Sequence, residues 1–225
     1  MTPRPDILLM VDLRRSTALS RDAATALVRA VEPALATLND SMAETLRVPL
    51  ALSYGDEIAG LFADPAAAYE ALARLRGVLR DHAGFRYVVA AGRAGARSAD
   101  IRQVGGPVFK AASRAMARLK TRDAPCVWQV GDGLEARTLT SLAALVEAAL
   151  ADLTDYQFAV YERLARGDSQ KDVAEALGKF PQSVSDAAHR GKLALLIDAE
   201  ATLRARLATL AQSKVIDYDE SMELD

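Results

Sequence analysis

The stretch DILLMVDLRRST at Asp6–Thr17 decides how the rest of the chain folds. Its apolar run from Ile7 to Val11 ends abruptly in Asp12, after which the sequence becomes polar. A continuous apolar run of this length is typical of a strand that is buried on both faces. Asp12 would then stand at the carboxyl end of that strand, where open α/β sheets place their ligands.

A second stretch, LALSYGDEIAGLF at Leu50–Phe62, consists of two apolar runs separated by Gly55-Asp56-Glu57. This pattern predicts a β-hairpin with an acidic tip. If the hairpin lies beside the first strand, Asp12 and Asp56 meet at one sheet edge. Two carboxylates so close together require a cation, and Mg²⁺ or Mn²⁺ with a bound phosphate satisfies them. The alternative is structural: Asp12 caps a turn, and Asp56 completes a tight hairpin.

The composition is that of an ordinary globular protein, because 51% of the 225 residues are hydrophobic and 26% are charged. A formal net charge of −2 indicates no global surface for nucleic acid or membrane. The single cysteine, Cys126, excludes an intrachain disulfide and is expected to be a small buried residue. We find no signal-peptide pattern and no apolar run that could span a bilayer, and we expect a cytoplasmic protein with no membrane partner.

Secondary-structure signals divide the chain into two predicted domains and a tail. Residues 1–138 alternate strand and helix signals, which predicts an α/β (α+β) domain with helices covering a mainly antiparallel sheet. Residues 139–212 carry helix signals only, including a helix at Ser141–Asp152 and a long final helix from Pro181 to about Gln212. Residues 213–225 contain five acidic residues and one lysine, which predicts an acidic tail.

The segment SQKDVAEALGKFPQSVSDAAHRGKL, residues 169–193, has the pattern of a helix-turn-helix. Val173, Ala174 and Leu177 are expected to face inward from the first helix, and Val184 to anchor the second. Over about Leu153–Leu193 the chain resembles the fourth region of bacterial sigma factors, which implies a second helix lying in the major groove of double-stranded DNA. The residues that this resemblance places against bases or phosphates are Lys171, Gln182, Ser183, Ser185, Asp186, His189, Arg190 and Lys192.

The charges of the helical domain do not by themselves indicate DNA binding, since eight acidic and eight basic side chains balance between Thr154 and Gln212. A helical dimerisation module is therefore the alternative. A leucine seam, interrupted by Glu200, predicts packing against another helix, either of a second chain or of Ser141–Ala151. The seam consists of Leu193, Leu196, Leu203, Leu207 and Leu210. We expect a homodimer, since symmetric readers bind paired half-sites.

Three motifs of the first domain resemble the catalytic domain of class III nucleotidyl cyclases, over about Asp6–Val130. They are Asp12, Gly55-Asp56-Glu57, and GGPVFKAASRAMARL at Gly105–Leu119. The resemblance implies a ferredoxin-like, cyclase-type sandwich in which Asp12 and Asp56 bind two divalent metals. With its helix-turn-helix included, nearly the whole chain resembles the SatD family.

The cyclase resemblance also implies roles for residues beyond the two aspartates. It implies that the segment after Asp12 holds a triphosphate through backbone amides and cations; that segment comprises Leu13, Arg14, Arg15, Ser16 and Thr17. Arg114 takes the position of the family's transition-state arginine, and Lys110 that of its catalytic asparagine. In the family this arginine comes from a second protomer, which again implies a homodimer.

Three departures from the cyclase pattern decide between the functional hypotheses. Lys110 replaces an asparagine, and Leu52 and Gln103 replace the lysine and aspartate that select the purine. The residues that the resemblance assigns to metal and triphosphate binding are present, whereas those that it assigns to base selection, and one that it assigns to turnover, are replaced. These substitutions favour regulation over turnover, and together with the helix-turn-helix they lead us to favour a nucleotide-responsive DNA-binding transcriptional regulator with a degenerate cyclase-like sensor domain. The alternative is a metal-dependent nucleotidyl cyclase or nucleotidyltransferase that acts on a nucleoside triphosphate.

Overall fold

The computed structural model describes residues 4–14, 21–53, 57–81, 84–95 and 98–212. The strands in these residues are β1 (Asp6–Leu13), β2 (Leu46–Leu52), β3 (Glu57–Phe62), β4 (Phe85–Gly92) and β5 (Cys126–Gln129). The helices in them are α1 (Arg21–Ser41), α2 (Pro65–Arg80), α3 (Pro107–Arg122), α4 (Gly133–Ala151), α5 (Asp155–Ala165), α6 (Gln170–Leu177), α7 (Pro181–Arg190) and α8 (Leu193–Gln212), with a short 3-10 helix at Ile101–Gln103.

The strands form one five-stranded sheet in the order β2-β3-β1-β4-β5. Neighbouring strands are antiparallel, except β4 and β5, which are parallel. The first six elements follow the order β-α-β-β-α-β, with β1 between β3 and β4, which is the arrangement of a split β-α-β unit. The predicted mixed architecture with a mainly antiparallel sheet is confirmed at this level.

The central strand β1 is buried on both faces, as its apolar run predicted. Leu8 and Met10 belong to a core cluster that includes the buried side of α3. Side chains alternate along a strand, so Ile7 and Leu9 face the opposite layer. On that side α2 packs against β1, β3 and β4, and α1 packs against α2. The buried residues of α2 include Tyr69, Leu72, Leu75 and Leu79, which recur at helical spacing along one face.

The chain divides into two compact units. Among the described residues, one unit contains those up to Thr140 together with residues 206–212, and the other contains Ser141–Ala205. In the second unit α5, α6 and α7 pack against one another. Their common core includes Phe158, Val173 and Val184. No helix in the described part of the chain combines the length and the apolar character needed to cross a bilayer.

Two helix predictions are wrong in their bounds. The long helix predicted from Pro181 to Gln212 is divided, because α7 ends at Arg190 and α8 begins at Leu193. Between them Lys192 has a φ of 51°, a left-handed conformation that a continuous right-handed helix cannot contain. The helix predicted at Ser141–Asp152 begins eight residues earlier, at Gly133.

The predicted leucine seam of α8 is already buried within a single chain. Its five leucines have exposed fractions of only 0–8%. The seam is therefore not open to a second chain, and the homodimer prediction loses this support. Glu200, which interrupts the seam, is 4% exposed and accepts a hydrogen bond from the hydroxyl of Tyr161.

Candidate functional site

Asp12 lies at the carboxyl end of β1, between two charged residues of the neighbouring strands. The strand register pairs Asp12 with Glu57 of β3 and with Arg86 of β4. Directly paired residues of antiparallel strands project from the same face of the sheet. Asp12 is buried, with 5% of its surface exposed. The buried carboxylate of Asp12 thus has an acidic residue, Glu57, on one neighbouring strand and a basic residue, Arg86, on the other.

Two cations bind the carboxylate of Asp12. The Nζ atom of Lys120 lies 2.6 Å from its Oδ1 atom, and the Nε atom of Arg86 lies 3.4 Å from its Oδ2 atom. Lys120 comes from the last turn of α3, whereas Arg86 projects from β4. Arg86 also donates to the carbonyl oxygen of Leu119 at 3.3 Å, which ties the strand to the end of the helix. Both oxygens of Asp12 therefore face a positive charge.

The start of α3 is fixed by a close backbone approach at Gly106. Gly106 has a φ of 114°, and a Cβ atom there would lie 2.6 Å from the nitrogen of Gly95. Beside it the Gly95 amide donates to the carbonyl oxygen of Gly105 at 2.6 Å. The buried face of α3, from Val108 to Leu119, packs against the sheet. The last turn of the helix then places Lys120 beside Asp12. The glycine pair is therefore part of what positions Lys120.

Arg14, a predicted phosphate ligand, contacts the C-terminal end of α3. Its Nη2 atom lies 2.8 Å from Oδ1 of Asp123 and donates to the Asp123 carbonyl oxygen at 3.2 Å. Its backbone amide donates to the carbonyl oxygen of Gly84 at 2.6 Å. The Asp123 side chain is 80% exposed, so this ion pair contributes little to stability. In this arrangement Arg14 contacts the C-cap residue of α3.

The other predicted site residues are distributed as follows. Leu13 lies within β1 opposite Phe85, so its backbone belongs to the sheet rather than to a phosphate loop. Lys110 and Arg114 are exposed on α3. Arg114 precedes Lys120 by about 9 Å along the helix axis, and Lys110 by about 15 Å. Four predicted residues lie outside the described residues, and their roles stay predictions: Arg15, Ser16, Thr17 and Asp56.

Sequence reasoning missed Arg86 and Lys120, although each carried a signal. Arg86 is a charged residue inside the apolar strand FRYVVAAG, on the same side as Val88 and therefore facing α3. Lys120 follows Met116 by four residues, so it lies next to the buried stripe of α3. A charge on a buried face of a strand and a cation beside the facing helix stripe predict a buried partner.

The described residues do not fit a divalent metal at Asp12 as they are arranged. Mg²⁺ and Mn²⁺ prefer oxygen ligands, and both oxygens of Asp12 already face cations. A divalent ion there would place two more positive charges beside Lys120 and Arg86. Within the described ranges no three metal-ligating side chains form a cluster. Asp56 lies outside those ranges, and the Mg²⁺ or Mn²⁺ cofactor stays a prediction.

The helix-turn-helix segment of the second unit is formed by α6 and α7. Ser169 caps α6 in a capping box with Asp172, and the Ser169 hydroxyl and backbone amide hold the pKa of Asp172 below its ordinary value. Gly178 ends α6 with a φ of 61°, and α7 starts at Pro181. Val173, Ala174 and Val184 are buried, as predicted for the inward face; Leu177 is half-buried against the same core.

The residues predicted to contact DNA all reach the surface at least in part. Lys171, Gln182, His189, Arg190 and Lys192 are exposed, and Ser183 and Ser185 are half-buried. Asp186, also exposed, accepts a hydrogen bond of 2.9 Å from the side chain of Gln182. The outer face of α7 is thus polar where the inner face is apolar.

Comparison with known proteins finds solved structures that resemble the chain at a distance. No protein-family model matches the chain, and no curated protein matches it. Among solved structures, the guanylyl cyclase Cya2 is similar with a TM-score of 0.36 and 18% identity, over 51% of this chain and 70% of that one. A regulator of polyketide synthase expression from Bifidobacterium adolescentis is similar with a TM-score of 0.23 and 12% identity, over 94% and 82%. Likenesses of this degree assign no activity, and the SatD resemblance stays a prediction.

Proposed function

We propose that this protein is a DNA-binding transcriptional regulator whose α/β unit responds to a nucleotide. One observation carries the DNA-binding part: α6 and α7 form a packed helix-turn-helix with Val173 and Val184 buried and Gln182 exposed at the start of the second helix. The first residues of such a second helix contact base edges in the major groove. Amide and imidazole side chains such as Gln182 and His189 provide the hydrogen bonds that distinguish base pairs there.

The charge of the turn and second helix also supports a polyanionic partner. From Lys179 to Lys192 there are three basic residues and one acidic residue. The acid is Asp186, which is engaged by Gln182. The local surface is therefore net positive, although the helical segment as a whole is balanced. Exposed lysine and arginine side chains at the ends of this segment suit phosphate contacts, which position a protein on the duplex.

Selection of duplexes from a random-sequence pool by the full-length protein tests the DNA-binding part. The Gln182→Ala variant is expected to weaken binding of the selected duplex by about 5- to 10-fold, because one base contact is lost. The Arg190→Ala variant is expected to weaken all duplexes alike and to reduce the salt dependence of binding. Arg29→Ala, which removes an exposed cation of α1, is the matched control. Retention of no duplex by the wild type would refute DNA binding.

The nucleotide-responsive part of the proposal rests on the α/β unit. Asp12 stands at the carboxyl end of the central strand, and α3 carries the exposed cations Lys110 and Arg114. The ion pairs of Asp12 neutralise the charge that a catalytic metal would need. This arrangement favours nucleotide binding over metal-dependent turnover of the nucleotide. A ligand that binds the native state raises the melting temperature. We expect one nucleoside triphosphate to do so and to change DNA affinity, with both effects lost in the Lys110→Ala/Arg114→Ala double variant.

The alternative is a metal-dependent nucleotidyl cyclase or nucleotidyltransferase. The exposure of Arg114 on α3 is the observation that favours it, because a transition-state cation must reach its substrate. Incubation with each nucleoside triphosphate and Mn²⁺, followed by chromatography for cyclic nucleotide and pyrophosphate, separates the two proposals. Product formation that is abolished in Arg114→Ala would establish the enzyme. Nucleotide binding without product would support the regulator.

The domain layout and the assembly state belong to the same proposal. We propose two domains, residues 1–138 and 139–212, followed by the acidic segment 213–225. We also propose a homodimer, since paired half-sites suit a symmetric reader. Sedimentation velocity of the full chain, alone and with the selected duplex, is expected to give the mass of two protomers per duplex. One protomer per duplex would refute the homodimer.

A further inference from the structure

Phe180 is an exposed aromatic residue in the turn between α6 and α7. Its exposed fraction is 80%, the highest of any large hydrophobic side chain in the described part of the chain. Burying a side chain of this size stabilises a protein by about 2 kcal/mol, and Phe180 contributes almost none of that. The side chain has therefore no packing role within its own chain.

Phe180 also has no capping role, unlike the residues at the equivalent positions of the two preceding helices. Thr154 begins α5 and Ser169 begins α6, and both form complete capping boxes. Phe180 is the N-cap residue of α7 and makes no side-chain hydrogen bond to the helix. A phenyl ring has no atom that can accept from the free amides of a first turn. Local stability thus gains nothing from a phenylalanine here.

The backbone nevertheless holds Phe180 in one orientation. Its φ of −74° and ψ of 144° are extended, as expected for a residue that precedes a proline. Its carbonyl oxygen accepts from the amides of Ser183 at 3.0 Å and Val184 at 3.3 Å. The ring is therefore presented from a fixed backbone, so little conformational entropy of the main chain is lost when it meets a ligand.

We propose that Phe180 contacts the C5-methyl group of a thymine in the major groove and contributes sequence specificity. This inference rests on the proposed DNA-binding function. Phe180 immediately precedes the end of α7 that enters the groove in a helix-turn-helix. Thymine is the base that presents an apolar group there, and phenylalanine is one of the side chains that contact it. Lys179, exposed beside Phe180, adds a positive charge that suits the adjacent phosphates.

The experiment measures the binding of full-length protein to a fluorescein-labelled duplex selected by the wild type from a random-sequence pool. Thymidines are replaced one at a time by deoxyuridine, which lacks only the methyl group. At one position this replacement is expected to weaken wild-type binding by about 4-fold, the loss of one buried methyl group. Phe180→Ala is expected to weaken binding of the unmodified duplex by about 10-fold and to be insensitive to deoxyuridine at that position.

Leu145→Ala is the matched control, because Leu145 is also exposed, at 70%, but lies on α4 rather than in the helix-turn-helix. It is expected to bind the unmodified and the substituted duplexes as the wild type does. Two results would overturn the inference while leaving DNA binding intact. In one, Phe180→Ala binds the selected duplex as tightly as the wild type, and the ring would then be available to a protein partner. In the other, Phe180→Ala loses affinity equally for every duplex. Failure of the wild type to select any duplex would overturn the proposed function as well.

Discussion

The Asp12 carboxylate and the Lys120 ammonium group are joined across two elements, with 2.6 Å between Oδ1 and Nζ. The Asp12 side chain is 7% exposed and the Lys120 side chain 51%, so the pair lies at the rim of the buried layer. The aspartate that the cyclase resemblance makes a metal ligand is thus neutralised by a helix of the same chain. We expect the access of a divalent ion to Asp12 to depend on Lys120.

Removal of the Lys120 charge is expected to open Asp12 to a divalent cation. In Lys120→Met the carboxylate keeps only Arg86, at 3.4 Å, so repulsion of an incoming ion falls. We expect Mn²⁺ at about 1 mM to raise the melting temperature of this variant by about 3 °C and to leave the melting temperature of the wild type unchanged. Without Mn²⁺ the variant is expected to lose about 1 kcal/mol of stability, since Lys120 is half-exposed.

Lys110→Met is the control for that measurement, because it removes an exposed cation of the same helix. It is expected to behave as the wild type, with or without Mn²⁺. A rise in the wild type that Asp12→Asn abolishes would show instead that Lys120 does not compete with the metal.

The two adjacent glycines before α3 are expected to respond in opposite ways to an added methyl group. Gly106 has a φ of 114° and a ψ of −176°, a conformation open almost only to glycine, and an added Cβ would meet backbone atoms, the nearest at 2.6 Å. Gly106→Ala should therefore lower the free energy of unfolding by about 2–4 kcal/mol. A Cβ atom added at Gly105 would have no other atom within 4 Å, so Gly105→Ala should change the free energy of unfolding by less than about 0.5 kcal/mol.

The readout is urea unfolding followed by the fluorescence of Trp128, the single tryptophan, which is 1% exposed in the same unit. Equal effects of the two glycine substitutions would contradict the close approach at Gly106.

Much of the fold was predictable because its strongest patterns are local. The apolar run Ile7–Val11 predicted the buried central strand, and helical spacing predicted the inward-facing Val173 and Ala174 of α6. The ion pairs of Asp12 were not predictable in this way, because Lys120 lies 108 positions away and meets it only once α3 packs on the sheet. The division of the last helix was missed although Gly191, the C-cap residue of α7, is a helix stop signal; the left-handed residue is the next one, Lys192. Domain bounds, metal and DNA contacts stay predictions.

Phe180→Ser is expected to increase stability while decreasing DNA affinity. Serine at the N-cap can accept from the first-turn amides, as Ser169 does for α6. The gain should be about 1 kcal/mol, since α7 lacks a side-chain cap at present. The same variant should bind the selected duplex about 10-fold more weakly, because the proposed methyl contact is lost.

Thermal melting and fluorescence anisotropy of the same preparation check both arms of this prediction. Ser169→Ala provides the converse control, because it removes an existing cap and should lower stability by about 1 kcal/mol. A Phe180→Ser variant less stable than wild type would contradict the conclusion that the ring has no structural role.

The hydroxyl groups of two tyrosines in the second unit are expected to have different energetic roles. Tyr161 donates a hydrogen bond to Glu200, a carboxylate that is 4% exposed and whose other oxygen lies 3.6 Å from Arg204. Tyr161→Phe leaves one oxygen of this buried acid without that donor and should cost about 1–3 kcal/mol. The buried hydroxyl of Tyr156, by contrast, has no hydrogen-bond partner among the described residues, so Tyr156→Phe should be neutral or slightly stabilising.

Each substitution removes one oxygen atom from a tyrosine of α5, so the two variants control for each other. Hydrogen exchange measured by mass spectrometry is the appropriate readout, since it reports on the amides of α5 to α8 separately from the sheet. We expect faster exchange across α5 and α8 in Tyr161→Phe and unchanged exchange in Tyr156→Phe. Unchanged protection in both variants would contradict an energetic role for the Tyr161 hydroxyl.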